Sequence, residues 1–163
     1  MPTILELAAD GRLEKVDPTL DDDELEQRAI YLLEGGSARV TTLFATMVSQ
    51  WKTEVTPAEQ LDELVYNFTT GGELDFPRQF RDLTHHREGV WELKAPDLRL
   101  FGFFARKDCF ICTDVADANV VKQLGYSGYI EQGAFRRGQL DLDPPKFIPS
   151  KRPQDVVSNC YCS

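Results

Sequence analysis

Three short apolar runs separated by two polar breaks constrain the fold of this chain more than any other feature. They read VWELK, LRLFGFF and CFICT, and with the breaks APD and ARKD they fill residues 90–113. Runs rich in aromatic and branched residues are typical of β-strands. Connections of three or four residues are too short for a parallel crossover, so the strands should run antiparallel. We therefore predict a three-stranded antiparallel meander over residues 90–113.

The first part of the chain is predicted to begin with a hairpin and a helix. A turn signal, Ala-Asp-Gly, separates possible strands at 3–7 and 12–16. Aspartates at 21–23 would then place negative charge at the positive end of a helix dipole, and the glycines at 35–36 would end that helix. These signals predict a helix over residues 24–36.

Two further helices are predicted before the meander. The stretch 38–53 fits a helical stripe, although its valines and threonines also allow strands, and we favour the helix. Thr56, Pro57 and Glu59 have the spacing of a helix start, with a capping hydroxyl, a proline in the first turn and an acid at the third position. They predict a helix over residues 57–68.

Short elements are predicted on both sides of the meander. Residues 78–83 fit a short helix with Phe80 and Leu83 turned inward. Asp117 has the position of a helix cap for the stretch ANVVKQLG that follows it. Residues 129–136 allow either a last strand or a helical turn.

These elements predict an α+β protein, with helices packed on a small twisted antiparallel sheet and an acidic, mainly helical N-terminal extension. We expect residues 1–76 to pack on a sheet core at 77–138. Residues 139–163 are rich in proline and polar side chains, so they are predicted to be an extended tail. That tail would be ordered only where Phe147 or Ile148 finds a groove.

The composition is that of a soluble globular protein, and we expect the protein to be cytoplasmic. The chain has 163 residues, of which 42% are hydrophobic and 28% charged. It contains no apolar run of about 18 residues, so we expect no membrane-spanning helix and no membrane partner. The beginning of the chain is acidic and lacks the basic and apolar regions of a signal peptide.

The charge is distributed unevenly along the chain. Residues 1–76 carry 5 Lys and Arg against 16 Asp and Glu, a net charge of −11, whereas residues 77–163 carry 13 against 11, a net charge of +2. Such asymmetry suggests either a surface for a basic partner or helix faces that are simply solvated.

Four cysteines, at positions 109, 112, 160 and 162, could in principle supply the ligands of a zinc ion. Cys109 and Cys112 fall within a predicted strand, however, and residues three apart on a strand point to opposite faces. Cys160 and Cys162 lie in the segment predicted to be a loose tail. We therefore expect free thiols and no metal.

Lys94 and Arg99 are the candidate functional residues of the meander. They flank the first break, so a hairpin would bring these two like charges close together. Such proximity lowers stability unless an anion lies between them, which indicates a possible phosphate site. The alternative is an internal partner: Glu92, Asp97 or an acid of the N-terminal half.

Other chemical signals are weak. His85 and His86 lie in a predicted loop, where one of them could act as an acid or base or contact a ligand. The chain contains no phosphate-loop, dinucleotide-binding, nucleophile-elbow or zinc-protease motif. We therefore expect no cofactor.

The run FRDLTHHREGVWELKAPDLRLFGFFARKDCFIC, from Phe80 to Cys112, resembles the middle of the RelE/HigB-type toxins, including phage-derived toxin-like proteins. VWELK matches the first strand of that pattern, RLF the beginning of the second, and FIC stands where the third strand stands. The resemblance covers about 35 residues of the chain.

This resemblance implies a compact fold of helices on an antiparallel sheet and an activity, the ribosome-dependent cleavage of messenger RNA. A partner antitoxin would neutralise that activity. Lys94 and Arg99 would inherit the binding of the scissile phosphate, which a 2′-hydroxyl attacks. Arg106, Lys107 and His86 would be RNA contacts.

The chain departs from the family pattern in its charge. The residues after the third strand, TDVAD, are acidic where the family is basic, and the pI is near 4.7. The alternative function is therefore a non-catalytic interaction or inhibitor protein, phage- or mobile-element-derived, whose acidic surface docks on a basic nucleic-acid-binding protein.

Overall fold

The computed structural model describes residues 2–47, 55–83 and 87–162, and it is an α+β structure. Its helices are α1 Ile4–Ala9, α2 Gly36–Thr46, α3 Pro57–Thr69, α4 Ala118–Leu124, α5 Ser127–Gln139 and α6 Pro153–Val156. Its strands are β1 Leu13–Lys15, β2 Ala29–Leu33, β3 Leu74–Phe76, β4 Phe80–Asp82, β5 Trp91–Lys94, β6 Leu98–Arg106, β7 Cys109–Asp117 and β8 Cys160–Cys162.

The main sheet is mixed rather than wholly antiparallel. Its six strands lie in the order β1-β2-β7-β6-β5-β4. The pair β2 and β7 runs parallel, and the other neighbours run antiparallel. A second, two-stranded sheet joins β3 and β8 in parallel. The prediction of a purely antiparallel sheet is therefore wrong at β2, because residues 34–108 lie between β2 and β7 and give the long connection that a parallel pair needs.

Helices cover both faces of the main sheet. On one face, Trp91, Leu93 and Phe104 belong to a core cluster that also contains Val65 and Phe68 of α3. The opposite face packs against α1 at one end of the sheet and against α4 and α5 at the other. The central strands β6 and β7 are consequently buried on both faces, as their nearly continuous apolar sequence requires.

The meander is confirmed. Strands β5, β6 and β7 are consecutive antiparallel neighbours, and the last two are longer than predicted, at 9 residues each. Their connection is shorter than predicted, because Arg106 pairs with Cys109 and only Lys107 and Asp108 form the turn. Asp108 accepts the left-handed conformation (φ 65°) that such a tight turn needs.

The N-terminal part differs most from its prediction. The predicted strand at 3–7 is helix α1, because Thr3 and Glu6 form a reciprocal capping box with N···O distances of 3.2 and 3.0 Å. The predicted strand at 12–16 is confirmed as β1, although it pairs with β2.

The helix predicted over residues 24–36 is wrong. Residues 29–33 form β2, which is buried on both faces between β1 and β7. Leu25, which the prediction placed on the apolar face of a helix, is 72% exposed. The N-terminal part therefore supplies two strands of the main sheet in addition to helices α1, α2 and α3.

The remaining helix predictions have mixed outcomes. Helix α3 begins as predicted, with Thr56 Oγ1 accepting a hydrogen bond from the Glu59 amide at 3.2 Å. Helix α2 contains residues 38–46 of the predicted 38–53 helix. Residues 48–54 lie outside the described residues. Asp117 caps α4 as predicted. The alternatives for residues 129–136 resolve as helix, in α5.

Residues 78–83 were predicted to be helical, and that prediction is wrong. They contain strand β4, which pairs with β5, although Phe80 and Leu83 are buried as expected. Beyond residue 139 the backbone is mostly extended, yet it packs more closely than a loose tail would. Val156 and Val157 are 0% and 1% exposed within the main core.

Among the described residues, no helix combines the length and the apolar character needed to cross a bilayer.

Candidate functional site

The β5–β6 hairpin places Lys94 directly opposite Arg99, as the sequence predicted. The two residues flank the turn that joins the strands. Glu92 lies two residues before Lys94 and therefore on the same face of the sheet. Arg81 of β4 is the register partner of Glu92 on the other side. Four charged side chains thus meet on one face near the edge of the sheet.

Glu92 is the internal partner of these cations. Its side chain is fully buried, and its Oε1 lies 2.9 Å from Arg81 Nη2 and 3.8 Å from Lys94 Nζ. Arg81 and Lys94 remain 39% and 22% exposed at their side chains. One carboxylate therefore faces three cations, Arg81, Lys94 and Arg99, which we call the cation cluster. The cluster keeps an excess of positive charge that solvent can reach.

The surroundings of Lys94 change its pKa. Burial lowers the pKa of Lys94 from its ordinary value, and the nearby guanidinium groups of Arg81 and Arg99 lower it further. Glu92 acts in the opposite direction without compensating fully. Lys94 is therefore a half-buried cation next to other cations. An anion-binding site has the same arrangement when its anion is absent.

Arg99 has a partly structural role. Its Nη1 donates hydrogen bonds to Ala95 O at 2.6 Å and to Leu98 O at 2.8 Å, which closes the hairpin turn. Tyr126, at the start of α5, lies over the cluster, with the Arg81 guanidinium 5.1 Å from the centre of its ring. Burial raises the pKa of Tyr126, and the Glu92 carboxylate raises it further. Tyr126 therefore remains a neutral hydroxyl beside the cations.

The other predicted RNA contacts do not join this cluster. Arg106 and Lys107 are exposed at the far end of β6, about 20 Å from Arg99 along the strand. They are too far away to contact a phosphate bound at Lys94. His86, like His85, lies outside the described residues.

Two members of the site were missed from the sequence. Arg81 lies in the stretch predicted to be a short helix, and Tyr126 lies after the helix predicted to follow Asp117. The sequence RQFRDL shows no alternation, because its apolar residues are three apart, so β4 had no local signal. Tyr126 had no local signal, because only the packing of α5 on the sheet brings it to the cluster.

The cysteines lie as the strand prediction implied. Cys109 and Cys112 belong to core clusters on opposite faces of the sheet. Burial raises the pKa of Cys109 to about 11 and the pKa of Cys112 to about 12. Cys160 and Cys162 lie on β8, where Cys162 is exposed. No group of three or more metal-ligating side chains occurs within residues 2–47, 55–83 and 87–162.

These positions predict how the thiols react. At pH 8 a thiol-specific aromatic disulfide should modify Cys162 first and Cys160 more slowly, whereas Cys109 and Cys112 should react only after unfolding. The reason is that the thiolate is the reactive form, and burial disfavours it. Absorbance of the released thiolate measures the rates, and a Cys162→Ser variant should lack the fastest phase. Equal rates for all four thiols in the folded protein would contradict the prediction.

Comparisons with known proteins identify no relative: no family model, no curated protein and no solved structure matches this chain.

Proposed function

We propose that this chain is a toxin-like endoribonuclease of a toxin–antitoxin system, which binds the scissile phosphate of messenger RNA with Lys94 and Arg99. The observation that supports the proposal is the cation cluster, in which three cations surround a single buried carboxylate. The resemblance of residues 80–112 to RelE/HigB-type toxins points to the same two residues. A partner antitoxin and the ribosome belong to the same proposal.

The cluster suits the chemistry of phosphodiester cleavage by a neighbouring hydroxyl. Negative charge accumulates on the non-bridging phosphate oxygens as the 2′-hydroxyl attacks, and preorganised cations stabilise that charge. Lys94 and Arg81 retain donors that reach solvent, so they would contact the phosphate directly. Arg99 would contact the same phosphate with its other guanidinium N–H groups, because its Nη1 donates to the hairpin turn.

The proposal predicts growth arrest that depends on the cluster. Expression of the protein in bacteria should stop growth and degrade messenger RNA, whereas the Lys94→Ala/Arg99→Ala variant should leave both intact. Removing one charge-stabilising donor costs about 100-fold or more in rate, so the double variant should be inactive. Growth curves and RNA blots provide the measurement.

The matched control for that experiment is Arg106→Ala/Lys107→Ala. It removes the same amount of positive charge from the far end of β6, and it should stay toxic. Both variants must show the melting temperature of the parent protein. Intact messenger RNA and normal growth with the parent protein would refute the nuclease.

A second candidate function rests on a separate surface. Acids of α3 and of the loop before β2, all exposed except the half-buried Glu24, form one acidic surface, which consists of Asp21, Asp22, Asp23, Glu24, Glu59, Asp62 and Glu63. The Tyr66 hydroxyl of α3 hydrogen-bonds to Glu24 and so joins the two segments. Within the part of the chain that is described, Asp22, Asp62 and Glu63 form no ion pair. This surface favours an interaction protein that docks on a basic, nucleic-acid-binding partner.

A further inference from the structure

An apolar cavity lies beside the acidic surface and borders the cation cluster only at Lys94. It has a volume of about 360 Å³ and is bounded on one side by α3 and on the other by the end of β5. Its apolar walls come from Leu64, Phe68, Leu74, Leu93 and Ala95. Ligand-binding clefts have volumes of about 300–1,000 Å³ and mostly apolar walls, so this cavity has the size and the lining of a binding site.

The wall of the cavity is rigid. Gln60 is 3% exposed and joins α3 to the β5–β6 turn through two hydrogen bonds to Asp97. Gln60 Nε2 donates to Asp97 Oδ2 at 2.7 Å, and the Asp97 amide donates to Gln60 Oε1 at 2.8 Å. Gln60 Nε2 also lies 3.2 Å from Val55 O. The cavity is therefore preformed, which lowers the entropic cost of binding.

Helix α3 connects the cavity to the acidic surface. Gln60, Leu64 and Phe68 are four residues apart and line the cavity along one stripe of the helix. Glu63 borders the cavity and is one helical turn from both Glu59 and Tyr66. An apolar group that enters the cavity therefore passes Glu63, which forms no ion pair with any described residue.

The rim also contains Lys94, whose ammonium lies near Pro77 and Glu92. Lys94 Nζ donates to Pro77 O at 3.2 Å and lies 3.8 Å from the buried Glu92 carboxylate. Lys94 follows Leu93 on the strand, so its side chain leaves β5 on the face opposite to the apolar wall. The free charge on the α3 side of the cavity is consequently negative.

We propose that this cavity is an anchor pocket for a basic segment of a partner protein, in which one large apolar side chain enters the cavity and flanking cations meet the acidic surface. The proposal rests on the second candidate function and names the chemistry of its partner. Charge complementarity favours a basic segment, because residues 1–76 have a net charge of −11 and, within the described part of the chain, Asp62 and Glu63 form no ion pair. A buried aromatic anchor surrounded by charged contacts is the usual energetic centre of such interfaces.

Two fluorescein-labelled peptides test the proposal by fluorescence polarisation at low salt. One has the sequence KKAWAKK, and the other, KKAAAKK, has the same charge without the aromatic anchor. The tryptophan peptide should bind the parent protein roughly tenfold more tightly or better, because burial of the anchor adds to the charge contacts.

Three variants separate the anchor from the charges. Ala95→Leu should fill the cavity and reduce the tryptophan peptide to the affinity of the alanine peptide. Leu64→Phe narrows the cavity from the other wall and should act in the same way if Ala95→Leu fails to fold. Asp62→Asn/Glu63→Gln should weaken both peptides together, whereas Glu34→Gln, an exposed acid outside the cavity, should change neither.

The outcomes distinguish this proposal from the second candidate function. Equal binding of the two peptides would overturn the anchor pocket and leave acidic docking standing. No binding of either peptide would overturn both. If neutral N-acetyltryptophanamide binds as tightly as the tryptophan peptide, the cavity is a small-molecule site and the proposal is wrong.

Discussion

Replacement of Arg28 by methionine should lower the free energy of unfolding by about 3–5 kcal/mol, the usual cost of breaking a buried ion pair by removing one partner. The Arg28 side chain is 0% exposed, and its Nε lies 3.5 Å from Asp108 Oδ1. Its two Nη atoms donate to Phe68 O at 3.1 Å and to Ser158 O at 2.5 Å. Methionine has a similar length but no donors, so it would leave these acceptors unsatisfied. Urea denaturation measures the change.

Arg12→Met is the matched control for that experiment. Arg12 Nη2 pairs with Asp10 Oδ2 at 3.1 Å, but the two side chains are 42% and 62% exposed. Pairs of this kind contribute about 0–1 kcal/mol, because water and salt screen them. The prediction fails if Arg28→Met lowers the free energy of unfolding by as little as Arg12→Met. Arg28 would then not stabilise the packing of the segments that contain Phe68, Asp108 and Ser158.

Gly102→Ala should destabilise the protein by about 2 kcal/mol or more, because the added methyl group meets backbone that cannot move aside. Gly102 lies in β6 at an irregularity in its pairing with β7. A Cβ atom there would lie 2.1 Å from the carbonyl oxygen of Ile111 and 2.8 Å from the ring of Phe110. Thermal or urea unfolding of the purified variant gives the measurement.

Gly128→Ala controls for the general effect of replacing glycine. Gly128 is in the first turn of α5, and an added Cβ would meet nothing within 4 Å. Alanine at a helical position without strain should stabilise by roughly 0.5–1 kcal/mol, because glycine loses more entropy on folding. If Gly102→Ala were as stable as Gly128→Ala, the close approach of β6 to β7 would be wrong.

The meander and α3 could be predicted because their signals are local. Polar breaks delimit β5, β6 and β7, and Thr56, Pro57 and Glu59 lie next to the helix that they start. These signals depend on residues only a few positions apart, so they need no knowledge of the rest of the chain. The proximity of Lys94 and Arg99 followed from the same local reasoning.

Strand β2 could not be predicted in this way. The sequence AIYLL, with Leu25 before it, fits a helical stripe, and a short apolar run does not distinguish a helix from a strand buried on both faces. What decides is the pairing of Ile30 with Phe110, which lies 80 positions later in the sequence. Arg81 and Tyr126 were missed for the same reason, because tertiary packing brings them to the cation cluster.

The parallel pairings impose an order on the assembly of the sheet. Residues 29–32 cannot pair with β7 before residues 109–112 are made. Residues 74–76 cannot pair with β8 before residues 160–162 are made. Contacts between such distant segments close large loops and form slowly. During synthesis the run AIYLL can pair with β1 but emerges long before β7, so one edge of an apolar strand stays open, and such an edge is prone to self-association. A newly made chain is thus prone to aggregation in the interval between the synthesis of β2 and the synthesis of β7.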